Sequence, residues 1–296
     1  MKFIDNSITE LPCSWLPIAT SSNKANAPQL LAIAAQLNSR YQEYNDLILN
    51  YQTPLAQTEF NASHGVLTEF YSKAPIELNK LLKEKRNNHG LSYCPYCGNP
   101  KSPDTLDHFI PKDDWPEFSI FANNLVPQCR ACAPIKGEFY YSQQHRMAMF
   151  THPFYFNLLN SFKFKINVSF DNLNLAPSFG VVIIKSRGTS RNEADRIQLH
   201  LEKLKVSTRI RIYCHSQFLG WAEKLKRKRF DIYQAFHIRI NELHRDDIGK
   251  DWESAFLVGM IACNDAMQYL NSLRPIEAQN GDEDIIEEED VEEIDI

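Results

Sequence analysis

Two Cys-x-x-Cys turns constrain this chain more than any other feature. Cys94-Pro95-Tyr96-Cys97 and Cys129-Arg130-Ala131-Cys132 are separated by 31 residues. Each turn presents two thiolates close enough to share one ion, so the pair predicts a single tetrahedral Zn²⁺ held by Cys94, Cys97, Cys129 and Cys132. Four thiolates leave no open coordination position, so this metal is expected to hold the fold rather than do chemistry. Seven Cys is an odd number, and with four in metal spacing a disulfide framework is not expected. Cys13, Cys214 and Cys263 read as isolated, buried small hydrophobes.

Between the two turns lie Leu106-Asp107-His108-Phe109-Ile110-Pro111-Lys112 and then Asn124-Leu125-Val126-Pro127. Thr105 to Ile110 reads as a strand bounded by Pro103 and Pro111. Neighbouring strand residues point to opposite faces, but twist at a strand end can turn Asp107 and His108 toward one cleft. Phosphodiester cleavage needs a hard cation on the phosphate and a base that titrates near neutrality. Asp107 is the candidate oxygen ligand for Mg²⁺ or Mn²⁺, and His108 the candidate base. The bland alternative makes His108 a structural histidine near the zinc. Trp115, Phe118 and Phe121 in the intervening loop are expected to pack beneath the site. Gly137 is expected to cut short a helix that starts after Cys132.

Together these motifs resemble the zinc-containing HNH (ββα-metal) endonucleases, over roughly Tyr93 to Gly137, about a seventh of the chain. The resemblance implies that Asp107 binds the catalytic cation and His108 is the general base. It makes Asn124 the family's central Asn, which braces the loop through backbone hydrogen bonds and so orients His108. The flanks, through His152-Pro153, Asn192 to Leu204 and the Trp252 segment, resemble HNH subunits of Septu and retron-type anti-phage systems. That likeness implies a defence role and control by a partner such as an ATPase. One position departs from the pattern. After the fourth Cys the family commonly carries Asn or His as second ligand to the catalytic cation, and this chain has Ala133. A methyl group cannot coordinate a metal. Three readings follow: a deliberately inactivated chain with Asn changed to Ala, a natural nuclease-dead homologue, or an enzyme with a second ligand from elsewhere. The intact state of the other motif positions favours the first.

The rest of the chain frames this window. Residues 1–25 read as an irregular arm packed through Trp15 and Leu16. Helical spacing runs from about Ala27 to Asn50 and again from Pro75 to Lys85, ended by Asn87-Asn88-His89-Gly90. This segment reads as a helical cap without chemistry. Ser161 to Phe170 alternates, Val181 to Lys185 looks buried, and Asp171 to Asn174 is a turn, so a hairpin is expected. Asn192 to Leu273 reads as helical. The predicted class is α+β, a zinc-clipped ββα core embedded in mostly helical flanks with a small β-hairpin. Its segments are 1–90 (helical), 91–155 (core), 156–276 (hairpin and helices) and 277–296, an acidic tail expected to be disordered. One continuous core or a boundary near residue 155 are both compatible with the pattern.

Charge bears on partners. The formal net charge is −5, but residues 277–296 hold eleven Asp or Glu and no Lys or Arg. Without them, 32 basic residues face 26 acidic ones, a balance that suits a polyanion partner. Lys112, Arg130 and Lys136 flank the site. Lys224, Lys226, Arg227, Lys228 and Arg229 form a basic cluster, preceded by Lys203, Lys205, Arg209 and Arg211. These read as phosphate contacts or as a solvated helix face. No base-reading pattern is visible, so backbone-directed binding is expected. The acidic tail reads as a solubilising tail, as an autoinhibitory competitor for the basic surface, or as a partner-binding segment. Nothing resembles a secretory signal or a membrane span, and a reducing, cytoplasmic setting is expected.

Overall fold

A computed structural model describes residues 1–5 and 7–275. The acidic stretch 277–296 lies outside the described residues. Five helices come first: α1 (Trp15–Thr20), α2 (Ala27–Ala32), α3 (Ala34–Leu49), α4 (His64–Ser72) and α5 (Ile76–Asn87). The arm expected at 1–25 contains a helical turn, anchored as anticipated by the buried Trp15 and Leu16. The long helix expected from Ala27 is broken at Ile33, which ends α2 and begins α3. Helix α4 has no counterpart in the sequence reading. Its His64-Gly65 start offers neither a side-chain cap nor a strong periodic signal.

The central window builds β1 (Thr105–His108), β2 (Leu125–Gln128) and the short helix α6 (Ala133–Lys136). Strands β1 and β2 pair antiparallel, with Asp107 opposite Val126 and His108 opposite Leu125. Gly137 ends α6 at φ +50°, a left-handed conformation that a side chain would resist. A small ladder follows, β3 (Tyr141–Ser142) with β4 (Met147–Ala148), and then the hairpin of β5 (Phe162–Asp171) and β6 (Ala176–Lys185). The turn falls at Asp171, whose carboxylate accepts the Leu173 and Asn174 backbone N–H groups. Helices α7 (Arg191–Lys203), α8 (Val206–Arg227), α9 (Ile232–Asn241), α10 (Trp252–Ile261) and α11 (Asn264–Ser272) complete the order. Three of them begin where short polar side chains cap orphan N–H groups: Ser190 with Glu193 on α7, Asp231 on α9 and Asp251 on α10. The class is mixed helix and strand, with small antiparallel pairs rather than one sheet.

The buried apolar side chains form one hydrophobic cluster running from Met1 to Leu270. It takes in the N-terminal helices, the central window and the hairpin with its helices. Aromatic contacts carry much of it. Tyr41 of α3 stacks on Phe121 at 4.3 Å, and Tyr44 meets Phe118 and Phe121 edge-on at 5.1 and 4.9 Å. Phe118 and Phe121 thus pack inward as expected, while Trp115 stays half-buried and donates to Ala56 O. Cys13 and Cys214 are buried and Cys263 half-buried, all unpaired.

Helix α10 crosses β5 closely because Gly259 lets it. A Cβ there would sit 2.5 Å from Ile166 O and 3.0 Å from Ile166 Cβ. In α8, by contrast, a Cβ on Gly220 would meet nothing within 4 Å. Urea unfolding should separate the two. Gly259→Ala is expected to destabilise by about 1–3 kcal/mol through overpacking. Gly220→Ala should stabilise by up to about 1 kcal/mol through helix propensity. Equal effects of the two substitutions would contradict this packing.

Candidate zinc centre and adjoining cleft

The two Cys-x-x-Cys turns approach each other because β1 and β2, which lie between them, pair antiparallel. All four sulfurs lie within 4.8 Å of one another, and all four side chains are buried. Cys97 Sγ is 3.8 Å from Cys129 Sγ. A tetrahedral Zn²⁺ with Zn–S bonds of about 2.3 Å needs sulfurs about 3.8 Å apart, so the donor set fits that ion. Among the described residues, these four cysteines are the one group of three or more His, Cys, Asp or Glu whose donor atoms converge in this way.

Beside the cluster, Asp107 and His108 border one cleft of about 140 Å³ with Ala133, Lys112, Asp113, Gln128, Gly137 and Glu138. Both residues line this opening, although alternation along a strand sends neighbours to opposite faces. Asp107 is 9% exposed. Its Oδ2 accepts from the Tyr96 hydroxyl at 2.7 Å, and its Oδ1 is 3.1 Å from Lys136 Nζ. Burial and the neighbouring Asp107 charge hold the Tyr96 phenol well above its ordinary pKa, so it remains a donor. Tyr96 belongs to the first Cys-x-x-Cys turn. Its own carbonyl accepts from His200 Nε2 at 2.7 Å, and its ring stacks on that imidazole at 6.0 Å.

The His108 ring is oriented from two sides. Nε2 donates to Ser119 O at 2.9 Å, and Tyr71 of α4 meets the ring edge-on at 4.3 Å. A backbone carbonyl can only accept, so the proton sits on Nε2 and the Nδ1 lone pair is left free. Burial, with help from the Lys112 and Lys136 charges, pushes the imidazole down to about 3. It is therefore neutral across the physiological range, and a weaker proton acceptor than the near-neutral base expected from the sequence.

Asn124 closes the loop between the strands. Its Oδ1 accepts from Ile110 N at 2.7 Å and Tyr44 Oη at 2.8 Å. Its Nδ2 donates to Ile110 O at 2.9 Å and Phe118 O at 3.1 Å. Phe109 N donates to Asn124 O at 2.9 Å. Four side-chain bonds at a fully buried amide pin the segment that carries His108.

Several expected phosphate contacts are placed elsewhere, and two need correction. Lys136 has no exposed surface. Besides Asp107, its ammonium reaches His108 O at 3.0 Å and Phe109 O at 3.2 Å, so its three donors are spent inside the protein. It braces β1 rather than facing a nucleic acid. Arg209 likewise turns away from the basic surface and onto the cysteines, with Nη1 3.3 Å from Cys132 Sγ. Lys112 stays at the cleft, 2.7 Å from Asp113, and the exposed Arg130 pairs with Asp104 at 2.6 Å. Lys224, Lys226, Arg227 and Lys228 lie exposed at the end of α8, followed by Arg229. There Lys226 pairs with Glu223 at 2.7 Å and Lys224 lies over the Trp221 ring.

Sequence reasoning missed Tyr44, Tyr71 and His200, which come from helices far from the motif. Tyr96 carried a signal, since it lies inside the first Cys-x-x-Cys turn. The N-terminal helices are thus more than a cap, because α3 and α4 each send a tyrosine to the site.

Four clustered cysteines of zinc-compatible spacing, clipping a β-pair, fit a zinc-binding HNH-like motif. Comparison with known proteins adds a local match. Over 39 residues the chain is 49% identical to Protein ea31 of Escherichia phage lambda, a stretch covering 13% of this chain and 13% of that one. No family model and no solved structure matches the chain. No helix among the described residues is long and apolar enough to cross a membrane.

The Asn124 brace makes a direct prediction. Asn124→Ala strands the Ile110 N–H and C=O in the core and leaves the Tyr44 hydroxyl and the Phe118 carbonyl only their weaker contacts to His152 Nε2 and Phe121 N. Each buried group left unpaired costs about 1–3 kcal/mol, so urea unfolding should show a loss of at least about 3 kcal/mol. A loss below about 1 kcal/mol would contradict the bracing role.

Proposed function

We propose that this protein is a zinc-clipped, HNH-type endonuclease that hydrolyses DNA phosphodiester bonds, weakened or silenced in this chain by Ala133. The observation that carries the reading is the shared cleft. There Asp107, His108 with its free Nδ1, and Ala133 meet, beside a four-sulfur cluster of zinc dimensions. In this reading His108 Nδ1 takes the proton of the attacking water, while Ser119 O and Tyr71 keep the ring aimed. Asp107, held by Tyr96, offers carboxylate oxygen to a divalent cation such as Mg²⁺ or Mn²⁺. When bound, that ion supplies charge stabilisation at the phosphate and the leaving oxygen. The protein's own donor set there is thin. Both Asp107 oxygens already accept from a donor, and Ala133 brings no ligand, so water and substrate phosphate must fill the shell. Lys112 at the cleft and the exposed end of α8 provide the phosphate contacts. The defence role and an ATPase partner rest on the resemblance of the flanks alone.

A second reading has its own support. An ammonium on Oδ1 and a methyl group at the second-ligand position also suit a non-catalytic zinc-ribbon subunit that binds nucleic acid or a protein. Plasmid nicking with Mg²⁺ or Mn²⁺ separates the two. Ala133→Asn should raise the nicking rate by about two orders of magnitude or more, given what one ligand contributes to metal affinity and transition-state charge. His108→Ala in that background should return it to baseline. Failure of Ala133→Asn to nick at all, with zinc bound and the fold intact, would overturn the nuclease reading and leave the zinc-ribbon subunit.

A further inference from the structure

The Arg209 guanidinium stands over the sulfur cluster. Nη1 lies 3.3 Å from Cys132 Sγ, and Nη2 lies 3.6 Å from Cys97 Sγ and 3.8 Å from Cys129 Sγ. Nη1 also donates to Leu204 O at 3.2 Å, which anchors the fork to the α7–α8 junction. On its other side the Trp252 ring lies 5.2 Å from the guanidinium carbon. Trp252 is itself fixed to the first Cys-x-x-Cys turn, donating from Nε1 to Cys97 O at 2.6 Å and from its backbone N to Gly98 O at 3.0 Å. Two helices remote in sequence, α8 and α10, thus converge on one face of the cysteines.

This placement has an electrostatic meaning. One Zn²⁺ and four thiolates sum to a charge of −2, and the sulfur lone pairs not bound to metal stay nucleophilic. A planar guanidinium presents several N–H donors in a fixed fork, which suits contact with three sulfurs at once. Its charge halves the local excess, and N–H···S bonds withdraw density from the lone pairs an oxidant or competing metal would attack. Outer contacts of this kind commonly change metal affinity by about 10–100-fold.

We infer that Arg209 guards the zinc centre, shielding the Cys97, Cys129 and Cys132 thiolates so as to govern metal retention and resistance to oxidation, and tying α8 to the loaded site. This rests on zinc occupancy of the four cysteines and is independent of nuclease activity. The test uses the full, zinc-loaded chain and follows zinc release to a chromogenic chelator, with and without hydrogen peroxide. Arg209→Met should release zinc at least about tenfold faster than the parent. Arg209→Lys should fall between them, since a point charge cannot bridge three sulfurs. Arg191→Met, altering an exposed arginine at the start of α7, should match the parent. Far-UV circular dichroism before release shows that each variant is folded. Release from Arg209→Met within about twofold of the parent would overturn the inference. If that variant does not fold, Arg209→Lys decides: release at the parent rate overturns it. A parent chain without zinc by elemental analysis would instead remove the zinc reading itself.

Discussion

Four sulfurs drawn together across an antiparallel pair of four-residue strands are the constraint on which the rest of this structure depends. Strands of that length, with no third strand beside them, bury too little to be stable alone. A metal held by the four thiolates would supply what the pair lacks, because a site absent from the unfolded chain turns its binding energy into folding energy. The hydrophobic cluster takes in the clip and both of its flanks. Aromatic rings from α3 fill the space under the loop, and α10 reaches the clip through Trp252, whose Nε1 donates to Cys97 O.

The clip also transmits order to the cleft. Tyr96 sits between Cys94 and Cys97 and holds Asp107 by its hydroxyl, while His200 holds Tyr96 by its carbonyl. Lys136, four residues past Cys132, neutralises the same carboxylate from the opposite side and ties down the carbonyls of His108 and Phe109. The carboxylate is therefore set by residues of the two turns and of α6, while the imidazole is held by Ser119 O and Tyr71. Such preorganisation is what a phosphodiester hydrolase needs, and the same contacts would keep a non-catalytic zinc ribbon rigid. Ala133 is the residue at which those alternatives diverge.

Much of the arrangement was legible in the sequence, for identifiable reasons. Cys-x-x-Cys spacing is dictated by coordination geometry, so the cluster was readable without neighbours. Alternation from Phe162 and the polar turn at Asp171 exposed the hairpin, and apolar spacing exposed α5, α7 and α8. Other features were hidden because tertiary contacts decide them. Lys136 and Arg209 look like surface cations in a one-dimensional reading, yet a carboxylate with two carbonyls claims the first and three sulfurs claim the second. Tyr71 and Tyr44 sit in segments that carry only an apolar pattern, and nothing local announces that they reach His108 and Asn124. The break at Ile33 is likewise invisible to periodicity, which continues through it.

The central claim is that one zinc ion with an all-sulfur shell organises the cleft around Asp107 and His108. X-ray absorption at the zinc edge of the purified chain tests it most directly. The account predicts four sulfur scatterers at about 2.3 Å and no nitrogen or oxygen in the first shell. A shell containing nitrogen or oxygen, or a chain that carries no zinc, would contradict it.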